Sequence, residues 1–391
     1  MRLLTYSSLY PNAAQPNHGV FVENRLRHLV ASGGAESRVV APVPWFPLKN
    51  KTFGSYAAFA AAPDREQRHG LSIEHPRYPV IPKIGMSLAP WLMYRFTLPT
   101  VQRQLAQGYD FQVIDAHYFY PDGVAAALIA RKLGKPLVIT ARGTDINLIP
   151  AYGLPRRQIL WASRQASRIV TVCEALRQSV IDLGVPADKV VTLRNGVDLQ
   201  GFRPLPHDEA RRELGFVRPT LLSVGGLIAR KANDLTVAAL PDLPEFELVL
   251  IGEGPEQAAL QAQAEALGVA DRVRFLGRIA HADLPLYYSA ADAMVLASSR
   301  EGWANVLLES MACGTPVVAS NVWGTPEVVA APEAGVLMPE RTPAGVVEAV
   351  RKLFAALPQR TTTRTYAEGF DWSDTTQGQL DIFTGIVIGR R

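Results

Sequence analysis

Cysteine is nearly absent: the 391 residues hold only Cys173 and Cys313. They lie far apart with no metal-type spacing, which excludes a disulfide framework and reads as two buried thiols of a cytosolic protein. Charge is also sparse, at 19% against 48% hydrophobic residues, which fits a soluble globular chain and excludes a disordered one. No apolar run reaches the roughly 20 residues of a membrane-spanning helix. The start "MRLLTYSS" runs directly into a polar loop with Asn and Pro, so no signal peptide is expected. Missing too is a Gly-x-Gly-x-x-Gly after the first strand-like run, with an acid about twenty residues on, which a dinucleotide site requires.

What is present is length and rhythm. At 391 residues the chain exceeds one ordinary core and predicts two domains. "RLLTYSS", "FQVIDAHY", "KPLVITARG", "RIVTVC" and "KVVTLRNG" read as strands separated by helical patterns. "RPTLLSVGGL", "FELVLIGEG", "RVRFLGRI", "DAMVLASS" and "TPVVAS" repeat the scheme. Mostly apolar strands alternating with helices predict α/β architecture: two tandem doubly wound, Rossmann-like domains with parallel sheets. The Gly- and Pro-rich "NGVDLQGFRPLP" marks the hinge, giving domains 1–196 and 197–371, with 372–391 expected as a helix crossing back to the first. Residues 1–200 carry 23 Lys+Arg against 13 Asp+Glu, a balance of +10, whereas 201–391 carry 17 against 23, a balance of −6. Halves so unlike suggest different partners, although uneven solvated surface gives the same contrast.

One region breaks the rhythm. Residues 42–105 interleave aromatics, prolines and basic residues, as in "PVPWFPLKNKTFGSYAAF" and "PKIGMSLAPWLMYRFTLP". Two readings stay open: a surface for an anionic membrane or lipid headgroup, or a core-packed helix pair with loops.

Ligands of open parallel sheets gather at the carboxyl ends of the strands, so the loops there hold the candidates. "GGLIARKAND" places Gly225 before Arg230 and Lys231, and "GEGP" places Glu253 in a glycine turn. Arg278 follows "RVRFLG". "REGWANVLLESMACGTP" sets Glu301 in a loop and Glu309 on the second turn of a helix starting near Asn305. Unpaired N–H groups of Gly302, Trp303, Ala304 and Asn305 are expected between the two acids. Glu301 as a helix cap and Glu309 as a solvated residue is the plainer alternative. In the first half, Gly19 opens a helix after a long loop, another approach for phosphate. His117, Arg142 and Asp145 end neighbouring strands.

These residues resemble a family. "REGWANVLLESMACGTPVVASNVWGTPEVV" looks like the donor-binding stretch of retaining glycosyltransferases of family 4, with their Glu–seven residues–Glu motif at Glu301 and Glu309. "LRNGVDLQGF", "VGGLIARKAND", "IGEGP", "RFLGRI" and "FDWS" also match the family, so the likeness covers nearly the whole chain. "SSLYPNAAQPNHGVFVENRLRHL" and "TARGTDINL" resemble its polysaccharide-assembly branch.

The resemblance implies the GT-B fold, two Rossmann-like domains facing across a cleft, and roles for single residues. Glu301 and the N–H groups of 302–305 would bind the donor sugar, and Glu309 the ribose. Lys231 would hold the diphosphate, approached from the other domain by the Gly19 backbone. His117 would lie by the reaction centre, with Tyr118, Arg142 and Asp145 toward the acceptor. Gly225, Arg230, Glu253, Arg278 and Val306 complete the expected donor site. Partners would be a nucleoside-diphosphate sugar, a glycan or lipid-linked acceptor and an anionic membrane at its cytoplasmic face, with no nucleic acid. No Asp-x-Asp motif occurs, so no metal or other cofactor is expected. Three positions depart from the family pattern: Gly226 stands where Arg is usual, Ala304 replaces a proline and Arg142 a frequent histidine. Two alternatives remain: a non-catalytic nucleotide-sugar or lipid-binding protein of the same fold, and a dinucleotide-dependent oxidoreductase.

Overall fold

A computed structural model describes residues 1–46, 55–80 and 85–389. Of the expected 42–105 surface, 47–54 and 81–84 therefore lie outside the described residues. The chain divides into two compact units, Met1–Asn195 with Ser373–Arg391, and Gly196–Trp372.

Among the described residues the first unit holds ten strands: β1 (Arg2–Tyr6), β2 (Glu36–Val40), β3 (Val43–Trp45), β4 (Arg65–Arg68), β5 (Leu71–Glu74), β6 (Arg77–Pro79), β7 (Val113–His117), β8 (Leu137–Ala141), β9 (Arg168–Thr171) and β10 (Val190–Thr192). Eight form one sheet in the order β10-β9-β8-β7-β1-β2-β5-β4, and β3 pairs with β6. The central strands β7 and β8 are buried along their whole length, as both-face coverage by helices demands. Each fully buried Val or Leu there contributes about 1.5–3 kcal/mol.

The sheet departs from the expected all-parallel pattern at one edge. β4 runs antiparallel to β5. His69 and Gly70, at φ 49° and 79°, make the two-residue turn between them, and paired positive φ values suit a tight hairpin. Arg65, Glu66 and Arg68 then guard an edge strand whose charge hides it from hydropathy.

The second unit is a six-stranded parallel sheet in the order β13-β12-β11-β14-β15-β16. Its strands are β11 (Thr220–Val224), β12 (Glu247–Ile251), β13 (Val273–Gly277), β14 (Ala293–Leu296), β15 (Val317–Ser320) and β16 (Gly335–Met338). Its order reverses between β12 and β14 around β11, so the loops after β11 and β14 flank the switch point where ligands bind in such sheets. The final helix, Ser373–Ile388, belongs to the first unit, where Phe383 joins the core of Leu26, Leu29 and Val39.

Candidate active site

In the second unit the site begins with two glycine loops packed backbone to backbone. Gly225, leaving β11, has φ 146°, and a Cβ there would come within 3.3 Å of the Lys231 side chain. A Cβ on Gly252, leaving β12, would lie 1.9 Å from the Gly225 carbonyl oxygen. Neither position admits a side chain, so the loops close tightly and aim the Ala229–Lys231 turn inward. The Ser299 N–H donates to the Arg230 carbonyl at 2.8 Å, tying the loop after β14 to that turn.

This tie brings together residues seventy positions apart. Lys231 Nζ lies 2.8 Å and Arg230 Nη1 3.0 Å from the same oxygen, Glu301 Oε1. Arg230 also donates to the Arg300 carbonyl at 2.9 Å. Glu301 is only 8% exposed. Burial pushes its carboxyl pKa up, but Lys231 and Arg230 outweigh that and hold it below the usual range. Two cations against one carboxylate leave a surplus positive charge at the switch point.

Glu309 lies on the helix Asn305–Ala312, as its spacing predicts. Its two oxygens are both engaged: Oε1 meets His281 Nε2 at 3.1 Å, and Oε2 accepts from the Tyr288 hydroxyl at 3.1 Å. Burial lowers the His281 pKa, yet Glu309 raises it more, and the net direction is upward. The plainer alternative for both acids is thereby corrected. Glu309 is buried rather than solvated, and no side chain caps the helix at Ala304.

The Asn305 N–H is not the free donor expected between the two acids, because it donates to the Trp303 carbonyl at 3.1 Å. Trp303 is buried, its ring 6.2 Å from that of Phe370, and Ala304 is buried beside it. Gly302 and Val306 are half-buried. Glu253 and Arg278 do not join this cluster; they pair with each other at 3.0 Å, each more than half exposed. At Gly226 a Cβ would meet nothing closer than 3.7 Å, so a side chain fits at this position and its absence leaves room.

In the first unit the candidates converge on the carboxyl ends of β7 and β8. His117 Nε2 lies 3.0 Å from Asp115 Oδ2, two residues back on the same strand face. Arg142 Nη2 donates to His117 Nδ1 at 2.7 Å. Because guanidinium only donates, Nδ1 must accept, and Nε2 carries the proton toward Asp115. Burial lowers the His117 pKa despite Asp115, so the ring is neutral near pH 7. Arg142 Nη1 donates to Asn195 Oδ1 at 3.0 Å, and Arg25 Nη1 reaches the same oxygen at 3.4 Å. Arg142 also stacks 5.3 Å from the Phe21 ring centre.

This geometry revises the roles expected here. Both His117 nitrogens are engaged inside the protein, and the ring is 1% exposed. It offers no nitrogen to a sugar in this arrangement. Asp145 is fully buried and accepts from the N–H groups of Phe119, Arg142 and Gly143 at 2.6, 3.1 and 2.7 Å. It holds the two loops together rather than facing an acceptor. Tyr118, at φ 78°, turns the chain out of β7 and stays half-buried. Gly19 has φ 72°, and a Cβ there would lie 2.3 Å from the Leu9 carbonyl, so only glycine starts the helix Val20–Ala31 at this approach.

Comparison with known proteins bears on the whole chain. The model of glycosyl transferases group 1 matches residues 207–369, and that of glycosyltransferase family 4 matches 19–200. A D-inositol 3-phosphate glycosyltransferase of Frankia alni is 30% identical over 80% of this chain and 83% of its own length. This chain belongs to the family 4 glycosyltransferases.

Other glycosyltransferases extend the comparison. One from Bacillus subtilis, provisionally named for teichuronic acid biosynthesis (TuaC), is 26% identical over 83% of this chain and 82% of its own. Anabaena Alr3699/HepE, solved in complex with UDP-glucose, superimposes with TM-score 0.73, at 21% identity over 98% and 99% of the two chains. That likeness establishes the GT-B fold. As a family 4 glycosyltransferase the protein is an enzyme, and the oxidoreductase alternative falls.

Two residues that hold the candidate Glu309 carry no motif in the sequence. His281 and Tyr288 sit in "HADLPLYYSAA", where the aromatics follow a helical core pattern. A seven-residue separation places both on one side of a helical path, the only signal available.

Proposed function

We propose that this glycosyltransferase moves a sugar from a nucleoside diphosphate to a hydroxyl of a glycan or lipid-linked saccharide, with retention at the anomeric carbon, in cell-surface or exopolysaccharide assembly. The observation that carries the reading is the Arg230–Lys231–Glu301 cluster, whose surplus positive charge suits a diphosphate while its carboxylate suits sugar hydroxyls. In this reading Glu309, held by His281 and Tyr288, binds the ribose hydroxyls. Arg278 and Glu253 border the base, and Gly19 and Gly225 let backbone approach the diphosphate. Trp303 and Val306 frame the sugar pocket.

The bond from the anomeric carbon to the diphosphate oxygen breaks, and negative charge grows on that oxygen. Lys231 and Arg230 stabilise it, Arg230 standing in for the arginine that Gly226 replaces. The acceptor oxygen attacks on the same face through an oxocarbenium-like state. Its proton passes to the departing phosphate oxygen. No step is routed through a metal or another cofactor. His117 acts by position, holding Arg142 and the β7 end in place beside Tyr118.

The teichuronic acid relative supports a polysaccharide acceptor, and the neighbour holding UDP-glucose supports a uridine donor. The same reading places the enzyme in the cytoplasm, peripherally on an anionic membrane. Among the described residues no helix is long and apolar enough to cross one. The test is a thermal-shift screen against nucleotide sugars, followed by transfer to lipid-linked acceptors and assignment of the product's anomeric configuration. Failure of every donor to stabilise the protein, or an inverted product, rejects the reading.

A further inference from the structure

Large exposed apolar side chains are not scattered over the first unit. Apart from Ile388, all those among the described residues fall between 45 and 96 or at 152 and 154. Leu88 and Trp91, 50% and 53% exposed, stand one turn apart at the start of the helix Ala89–Ala106, and Phe96 follows. Tyr152 and Leu154, 50% and 54% exposed, stand at the start of the helix Gly153–Gln165.

The two helix starts are stitched together. Gln158 Nε2 donates to the Ser87 carbonyl at 2.9 Å, and the Tyr120 hydroxyl donates to the Met86 carbonyl at 2.7 Å. Leu154 precedes Gln158 by four residues, so the two share one helix face, the face that Gln158 bonds to Ser87 beside Leu88.

Charge follows the same outline. From His75 to Tyr109 the sequence holds Arg77, Lys83, Arg95 and Arg103 and no Asp or Glu. From Ile146 to Cys173 it holds Arg156, Arg157, Arg164 and Arg168, again without an acid. The whole chain has 36 acidic residues, so two acid-free stretches meeting on one surface form a distinct electrostatic region. Arg103 pairs with Glu74 and Arg77 with Asp64. Among the described residues no ion pair engages Arg95, Arg156 or Arg157, and all three are exposed.

Exposed Trp, Phe, Tyr and Leu ringed by unpaired arginines, with no carboxylate to repel phosphate, match an anionic lipid surface. The position fits as well. Tyr152–Arg157 lies on the segment that leaves β8, and Met86–Phe96 opens the helix that leads into β7, its start bonded to Tyr120 three residues past the end of that strand.

We propose that the first unit docks on an anionic bilayer through the composite face of Met86–Phe96 and Tyr152–Arg157. The inference deepens the lipid-linked acceptor reading and rests on it. A bilayer held here presents an acceptor headgroup beside the reacting end of the sheet, without extraction of its lipid into water.

The test is co-sedimentation of the full chain with vesicles of phosphatidylcholine, with or without phosphatidylglycerol, over a salt series. Binding is expected only with the anionic lipid and falls as salt rises. Arg156→Glu with Arg157→Glu lowers the partition coefficient by more than about 25-fold, at about fivefold per cation lost. Trp91→Ser lowers it at every salt concentration. Both variants replace exposed side chains, and an unchanged melting temperature with UDP-induced stabilisation equal to wild type shows that they fold. Equal binding to neutral vesicles, or full binding by both variants, overturns the proposal. A concentration-dependent dimer abolished by the same substitutions assigns the face to a second copy and overturns it too. Vesicle binding without any stabilisation by a nucleotide or nucleotide sugar leaves this surface standing and sinks the glycosyl-transfer reading alone.

Discussion

The two units carry ionic clusters of the same ingredients, arranged to opposite ends. In the first, Asp115, His117, Arg142, Asn195 and Arg25 are all buried and face one another. In the second, Arg230 and Lys231 keep 28% and 13% of their side-chain surface exposed while meeting a single carboxylate. A cluster turned inward fixes loops. A cluster with surplus charge and access to solvent is the one proposed to receive a ligand.

The sharpest way to break this contrast is to remove one carboxylate from each. Asp115→Asn leaves two buried arginines without a carboxylate among the cluster's residues. The expected loss of unfolding free energy is about 3–5 kcal/mol, read by denaturant titration. Glu301→Gln leaves cations that water reaches, and the expected stability change stays within about 1 kcal/mol. Equal losses in the two variants would erase the distinction.

Lys231→Ala is next in size. Transfer is expected to slow by about 10²–10³-fold, the range for removing one stabilising donor, with a smaller change in nucleotide affinity. A normal turnover number sinks the assigned role. Tyr288→Phe removes one hydrogen bond to the Glu309 carboxylate, worth about 1.5–3 kcal/mol. The donor KM is expected to rise by at least about tenfold with kcat nearly unchanged; the reverse pattern would place Tyr288 in the chemistry instead.

The smallest effect separates the units by sign. The folded-state pKa of His117 is lowered, so as pH falls through the unfolded value of about 6.5 the unfolded chain takes a proton that this ring refuses. Its contribution is present above the unfolded value and lost on acidification. His281 is raised, so its contribution is present below the unfolded value and lost as pH rises through the folded one. Unfolding curves of His117→Asn should therefore flatten the acid-side decline, and those of His281→Gln should steepen it.

Much of this was legible in the sequence because parallel strands buried on both faces read as apolar runs. "TLLSV" and "ELVLI" became β11 and β12 for that reason. The spacing of Glu301 and Glu309 drew notice to them but left the plainer alternative open, and only the resemblance to family 4 gave them roles. The hairpin β4–β5 was not, since its outward residues are charged and its periodicity covers four residues a strand. The pairing of Lys231 with Glu301 crosses seventy residues, a contact no local pattern encodes. His117 was visible as a polar residue ending an apolar strand. That its ring turns inward depends on Arg142 arriving from β8, which only the folded sheet brings within reach.

Lys231 already holds Glu301 before any ligand arrives. An incoming phosphate competes with a carboxylate already seated on the lysine, so bare anions must part an existing couple and leave a buried acid stranded. A ligand carrying both a diphosphate and a sugar offers each member of the couple a new companion. In the proposed reading this couple selects against free phosphate by exchange of partners, and the affinity ratio between UDP-glucose and UDP, compared before and after Glu301→Gln, measures that selectivity.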